Sequence, residues 1–210
     1  MKYADIGFRA VYHNFAVFPV TPATKGALAG FPGEEIADGI LTYGYYDREC
    51  GITLEVLAAA QRSEHGWRFA DGNDEIRSFI RIDAVKEEEL FLLQDPEGTL
   101  PEKYAKKLEM LKAYNAEEPV EESRTFAFLD DSRHPEYIDD VMVYLHKDGL
   151  EPEGCWTRII GLDEHRIWAK LLNEPKQDFG IHKGSDLSFI VRKDEKTEKI
   201  TCYTWFVDDE

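Results

Sequence analysis

The fold of the C-terminal third is decided by residues 153–193, EGCWTRIIGLDEHRIWAKLLNEPKQDFGIHKGSDLSFIVRK. β-prone runs at 155–161, 164–172 and 186–193 alternate with turn-forming residues, and a fourth run follows at 199–207. Short strands with regular turns and without intervening helices are typical of antiparallel sheets and small barrels. The sequence therefore predicts a C-terminal β-sheet or a barrel-like unit.

The core of this unit can be predicted from the apolar positions of the same runs. We expect Trp156, Ile159 and Phe189 to be buried, because large apolar side chains on one face of a strand form the core. A further strand is predicted at 141–145, with a helical turn from Ile138 as the alternative.

The N-terminal half also contains β-prone runs. Residues 2–12 and 15–20 are predicted as two strands, and residues 40–46 pair with an alternating run at 52–58 as a hairpin. A helix over 54–62 competes with the second strand of that hairpin, since Leu-Ala-Ala-Ala-Gln-Arg has high helix propensity.

One helix is predicted at 101–115. Tyr104, Leu108 and Leu111 recur at spacings of three and four, and we expect them to face a sheet. Proline suits the first helical turn, and Thr99 is the expected capping residue.

Together these elements predict an α+β fold in which antiparallel β-sheets predominate. Residues 1–98 are predicted as an N-terminal α+β domain and 124–210 as a C-terminal β-rich domain. Between them, 99–123 comprises the helix and an acidic linker or long surface loop around Pro119.

The composition limits the classes of protein. The chain has 210 residues, 43% of them hydrophobic, with 25 Lys and Arg against 42 Asp and Glu, a net charge of −17. The apolar content excludes a wholly disordered chain. The negative charge argues against nucleic acids and anionic membranes, and no apolar run reaches the about 20 residues of a membrane span. We expect either a basic protein as partner or no partner. The sequence does not indicate the oligomeric state.

The cysteines indicate a reducing compartment. Cys50, Cys155 and Cys202 are odd in number and form no C-x-x-C motif, so a cytoplasmic protein without disulfides is expected. Cys155 and Cys202 lie in predicted strands and are expected to be buried rather than nucleophilic.

Acidic residues are concentrated in residues 116–140. This stretch contains nine acidic residues but only two basic ones, Arg124 and Arg133, so its local net charge is −7. The stretch lacks EF-hand spacing, and the chain lacks any phosphate-binding glycine motif, so no metal and no cofactor is expected. A solvated loop is the simplest interpretation, and a docking surface for a basic partner is the functional one. Its candidate binding residues are Glu121, Glu122, Asp130, Asp131 and His134.

Two resemblances add to this interpretation. The Trp156 strand, Leu172-Asn173-Glu174-Pro175 and Lys183-Gly184-x-Asp186, within about residues 150–192, resemble a YegJ-like bacterial domain of unknown function. The segment Gly66-Trp67-Arg68-Phe69, with the acidic turn up to residue 75, is similar to a toxin-immunity-like domain. Both resemblances imply small cytosolic β-rich domains without an assigned catalytic centre.

Three functional hypotheses follow. The first is a non-catalytic binding or immunity-like protein that contacts a basic partner through its acidic surface. The second is a small-ligand-binding protein or an enzyme with a cleft near Trp156, Trp168 and Asn173. The third is a structural module without independent activity. No catalytic residues are predicted, because the chain contains no nucleophile motif.

Overall fold

The computed structural model describes residues 1–95, 98–193 and 198–207. Residues 96 and 97 of the predicted turn before the helix, and residues 194–197 of the turn before the last strand, lie outside the described residues. The chain forms two compact units, Met1–Asn115 and Ala116–Glu210. The helical segment up to residue 115 therefore belongs to the first unit, and the acidic stretch begins the second.

The first unit contains a six-stranded antiparallel sheet. Five strands follow the order β4-β3-β2-β1-β6, and β5 pairs with β3 beside that path. The strands are β1 (Phe15–Pro19), β2 (Gly39–Asp47), β3 (Gly51–Ser63), β4 (Gly66–Phe69), β5 (Phe79–Arg81) and β6 (Phe91–Leu92).

The alternative of a helix over 54–62 is excluded, because β3 is a strand along its whole length. Ala58, Ala59 and Ala60 are all buried, although successive residues of a strand point to opposite faces. Both faces of β3 are therefore covered, and small side chains suit such a position. Tertiary packing overrides the helix propensity of this run.

The prediction of a strand at 2–12 is wrong. These residues form a short helix, α1 (Tyr3–Ile6), and a 3₁₀ turn at Phe8–Ala10. The chain then crosses β2 at Gly44, where an added Cβ would lie 2.1 Å from the carbonyl oxygen of Val11. Only glycine permits this close approach of two backbones.

The predicted helix at 101–115 is present as α2 (Thr99–Lys103) and α3 (Ala105–Leu111), followed by a 3₁₀ turn. Tyr104 and Leu111 are buried, and the partly buried Leu108 packs against the same sheet residues as Tyr104. The cap differs from the prediction. The carboxylate of Asp95, rather than the Thr99 hydroxyl, accepts the first free backbone N–H groups of α2.

A buried ion pair joins α3 to the sheet. Lys107 follows Tyr104 by three residues and precedes Leu111 by four, so it lies on the buried stripe, and both Lys107 and Glu55 of β3 are 1% exposed. The Lys107 Nζ donates to the carbonyl oxygens of Val56 at 2.7 Å and Ile76 at 2.9 Å, and it lies 3.5 Å from Glu55 Oε1.

Burial raises the pKa of Glu55 and lowers the pKa of Lys107, and in each residue the partner's charge opposes that shift. The pair therefore offsets part of the cost of burying these two charges, and Arg77 adds a second cation 3.8 Å from Glu55 Oε2.

The second unit is a closed barrel of five strands. The order is β10-β11-β7-β8-β9, and every pair is antiparallel except β11 with β7. Five strands that alternate in direction leave the first and the last parallel, so this closure follows from the odd number. The strands are β7 (Asp140–Lys147), β8 (Glu153–Leu162), β9 (Ile167–Leu171), β10 (Asp186–Lys193) and β11 (Ile200–Phe206).

The barrel core confirms the buried positions of Ile159 and Phe189, which are 0% and 1% exposed. Trp156 is different, because it lies on the outward-facing positions of β8 between the inward Cys155 and Thr157 and is only partly buried. The prediction that Trp156 is a core residue is therefore wrong. The alternation of β8 decides this, since neighbouring side chains of a strand point to opposite faces.

A fourth helix, α4 (Glu118–Thr125), replaces the predicted acidic linker or loop. Pro119 occupies the first turn, where proline is tolerated, and Val120 is buried. The helix has few apolar residues, and its second anchor is an ion pair that the next subsection describes.

We expect Lys107→Met to lower the free energy of unfolding by about 3 kcal/mol, because the buried Glu55 carboxylate loses its buried cation and is left with Arg77, a half-exposed side chain whose Nε lies 3.8 Å from Glu55 Oε2. Urea denaturation monitored by circular dichroism measures this change. Lys106→Met is the matched control, since Lys106 is exposed and pairs with Asp74 at the surface, where an ion pair contributes little to stability. Equal stability of the two variants would contradict a structural role for the buried pair.

Candidate functional site

The second unit contains an open cleft of about 670 Å³ beside α4. Its lining includes apolar side chains from the segment after α4 and from strands of the barrel, which we call the floor, and acidic side chains, which we call the rim. The lining residues on which the argument depends are Glu122, Phe126, Phe128, Asp163, Glu164, Arg166 and Ile190.

The floor consists of the partly buried Phe126 and of the exposed side chains of Phe128 and Ile190. The rings of Phe126 and Phe128 are stacked with centroids 5.1 Å apart, and the buried Leu129 anchors the segment next to them. Phe128 is 43% exposed and Ile190 of β10 is 47% exposed. Exposed apolar groups gathered in a concave site are characteristic of a binding surface.

The turn between β8 and β9 forms part of the rim. Asp163 accepts hydrogen bonds from the backbone N–H of His165 at 2.9 Å and of Arg166 at 2.8 Å, and from Trp168 Nε1 at 2.8 Å. These bonds, those to His165 and Trp168 foremost, hold the pKa of Asp163 below its usual value. The turn is therefore ordered and carries a fixed negative charge.

A buried ion pair positions α4 beside this cleft. Arg124 of α4 is 3% exposed and Asp139 is 0% exposed. Arg124 donates from Nε to Asp139 Oδ1 at 2.8 Å and from Nη2 to Oδ2 at 2.9 Å, while its Nη1 bonds Glu121 at 2.5 Å. This two-pronged geometry is the strongest arrangement of an arginine with a carboxylate.

The predicted acidic surface of residues 117–140 is only partly a surface. Asp139 and Asp140 are buried, and Arg158 of β8 holds Asp140 with bonds of 2.6 and 2.9 Å. Two more acids pair with arginines of the same stretch, Glu121 with Arg124 and Asp130 with Arg133 at 3.5 Å. The local net charge of −7 therefore overstates the exposed charge, because a distant arginine and internal pairs neutralise part of it.

The exposed candidates are Glu122 and Asp131, and only Glu122 lines the cleft. The sequence did not predict the floor residues Phe126, Phe128 and Ile190. The run around Phe126 was visible as apolar, but apolar residues are usually buried, so its exposure had no signal in the sequence.

The other three candidates come together elsewhere on the same unit. Trp156 makes an edge contact with the His134 ring at 5.3 Å between centroids, and its backbone N–H donates to Asn173 Oδ1 at 2.7 Å. His134 Nδ1 accepts from the backbone N–H groups of Glu136 and Tyr137, both at 3.2 Å. These bonds give His134 and Asn173 structural partners. Trp156, Trp168 and Asn173 do not line the cleft.

Two of the three thiols, those of Cys155 and Cys202, lie in the barrel core and outside the cleft lining. Burial raises the pKa of the thiols of Cys155 and Cys202, which disfavours the reactive thiolate. Across the described ranges, no group of three or more His, Cys, Asp and Glu residues is placed to hold a metal ion.

Comparisons with protein-family models, with curated proteins and with solved structures found no match for this chain. Within the part of the chain that the structure describes, no helix combines the length and apolar character needed to cross a membrane.

We expect Asp139→Asn to lower the free energy of unfolding by about 3 kcal/mol, since the buried Arg124 would lose its fully buried carboxylate and be left with the partly exposed Glu121. Asp131→Asn makes the same chemical change at an exposed position and should alter stability by about 0.5 kcal/mol or less. Urea denaturation followed by tryptophan fluorescence compares the two. If Asp131→Asn lost as much stability as Asp139→Asn, burial of the Arg124–Asp139 pair would not explain the loss, and the prediction would be contradicted.

Proposed function

We propose that this protein is a non-catalytic binding protein, immunity-like in kind, whose cleft beside α4 receives a basic segment of a partner protein. The observation that carries the proposal is the combination of an exposed apolar floor, at Phe128 and Ile190, with an acidic rim at Glu122 and Glu164. Such a surface favours a segment in which apolar anchors alternate with Lys or Arg.

The apolar floor supplies the affinity in this proposal. Covering exposed apolar area contributes roughly 25 cal/mol per Å², so a few buried aromatic and aliphatic contacts are sufficient for moderate binding. Aromatic residues near the centre of an interface commonly dominate its energy. Phe128 is the best candidate for this role, because it is stacked on Phe126 and still exposed.

The acidic rim supplies the selectivity. Glu122, Asp163 and Glu164 outnumber Arg166 at the cleft, and the whole chain has a net charge of −17. Long-range attraction of this sign accelerates association with cationic partners and rejects anionic ones. The same field disfavours nucleic acids.

The alternative of a small-ligand site or an enzyme near Trp156, Trp168 and Asn173 has weaker support. The side-chain oxygen of Asn173 already accepts the Trp156 backbone N–H, and the Trp168 indole N–H is used by Asp163. Polar groups with internal partners have less capacity to orient a ligand.

A set of three synthetic peptides tests the proposed function. The first alternates Lys with Phe and Leu, the second replaces the apolar positions with Ser, and the third replaces Lys with Glu. We expect fluorescence anisotropy to detect binding of the first peptide alone at low salt, with affinity falling as salt rises.

Two variants connect that binding to the cleft. Phe128→Ala should weaken it about tenfold by removing an apolar anchor, and Glu122→Lys should weaken it and reduce its salt dependence. Trp205→Ala, at an exposed aromatic residue outside the cleft lining, is the matched control and should bind normally. Equal binding of all three peptides, or insensitivity to Phe128→Ala, would contradict the proposed site.

A further inference from the structure

The first unit contains a second cleft, of about 480 Å³, which combines aromatic rings with carboxylates. It is lined by residues of β1, β3, β4 and β6 and by the segments before β2 and β6. The residues that matter for its chemistry are Asp38, Arg62, Trp67, Glu88, Glu89 and Phe91.

The rings of Trp67 and Phe91 form an aromatic wall on the sheet. Trp67 belongs to β4 and Phe91 to β6, which are the two ends of the strand order, yet their rings meet edge-to-face at 5.4 Å. The indole reaches across Gly39 of β2, where an added Cβ would lie 3.0 Å from Trp67 Cζ3 and 2.6 Å from Val17 Cγ1. Glycine at this position leaves the room that the ring occupies.

A cation already lies on this wall. The guanidinium carbon of Arg62 is 5.3 Å from the Trp67 ring centroid and 4.9 Å from that of Phe91. Aromatic faces attract cations through their quadrupole, and tryptophan does so most strongly. The chain's own side chain therefore shows which chemical group this wall accepts.

The cleft contains more negative than positive charges. Asp38, Glu88 and Glu89 give three negative charges against one positive charge from Arg62. Asp38 Oδ2 accepts the backbone N–H of Arg62 at 3.0 Å. Among the described residues, the Glu88 and Glu89 carboxylates contact no cation and accept no hydrogen bond. The cleft therefore retains uncompensated negative charge beside an aromatic pair.

We propose that this cleft binds an organic cation of the methylated ammonium or guanidinium class, and that Arg62 is the exposed intramolecular occupant that the ligand displaces. The ligand's cation lies on Trp67 and Phe91, while Glu88 and Glu89 neutralise it. The same chemistry is presented by a small free cation and by a methylated lysine or arginine of a protein. This site is independent of the cleft beside α4, so either proposal can fail without the other.

Titration with tetramethylammonium chloride tests the proposal. Isothermal titration calorimetry measures binding to every variant, and the Trp67 indole N–H signal in NMR spectra of the unmodified chain shows where the cation binds. Trp67→Phe identifies that signal and keeps an aromatic ring at the position. We expect saturable binding to the unmodified chain and about tenfold weaker binding to Trp67→Phe, because tryptophan is the best aromatic partner of a cation. Neopentyl alcohol, a neutral molecule of similar shape, should not bind.

Charge variants test the assigned roles. Arg62→Gln removes the competing cation and should tighten binding several-fold, whereas the double variant Glu88→Gln/Glu89→Gln should weaken it. Glu87→Gln is the matched control, because Glu87 is exposed outside the cleft and pairs with Lys2 at 3.6 Å. Thermal melting verifies that each variant is folded, and only folded variants enter the comparison.

The results distinguish the possible sources of the ligand and the competing explanations. Tighter binding of a peptide with trimethyl-lysine than of tetramethylammonium supports a protein side chain as ligand, and equal or weaker binding supports a small free cation. Binding of neopentyl alcohol as strong as that of the cation would overturn the proposal in favour of a merely apolar cleft. Weaker cation binding by Arg62→Gln would also overturn it, because Arg62 would then be part of the site.

Discussion

A charged carboxylate inside a protein is costly unless a cation or hydrogen-bond donors compensate it, and each unit of this chain contains a carboxylate compensated by a buried cation. In the first unit Lys107 of α3 reaches Glu55 of β3, and in the second Arg124 of α4 holds Asp139. Each pair joins a helix to the β-structure of its unit, since Glu55 lies in β3 and Asp139 directly precedes β7. Because removal of one partner leaves a buried charge, these pairs restrict the position of each helix more than apolar packing alone would.

The two clefts follow from these restraints and from close packing. In the second unit, α4 is fixed by Arg124, and the segment after it presents Phe126 and Phe128 beside the barrel. In the first unit, the absence of a side chain at Gly39 allows Trp67 to reach Phe91 across the sheet. Each cleft places apolar or aromatic groups, exposed or partly buried, beside several acidic side chains, and this combination favours cationic ligands.

Local patterns in the sequence predicted many of the elements. The spacing of Tyr104, Leu108 and Leu111 predicted a helix against a sheet, and alternation with turn residues predicted the barrel strands after residue 140. These signals are local, because helical and strand periods repeat within a few residues. The prediction of a linker before residue 124 was wrong because the contact that stabilises α4 is not local. Its Arg124 pairs with Asp139, which lies fifteen residues further along the chain.

The sequence by itself determined the strand-rich α+β class, the negative charge and the positions of most turns, since each depends on composition or on near neighbours. Tertiary structure alone decided which charges are internal and which remain at the surface. Asp140 is neutralised by Arg158 across two strands, and Lys107 by Glu55 from another element. The outward position of Trp156 and the exposure of Phe128 belong to the same class, because burial depends on what packs against a residue.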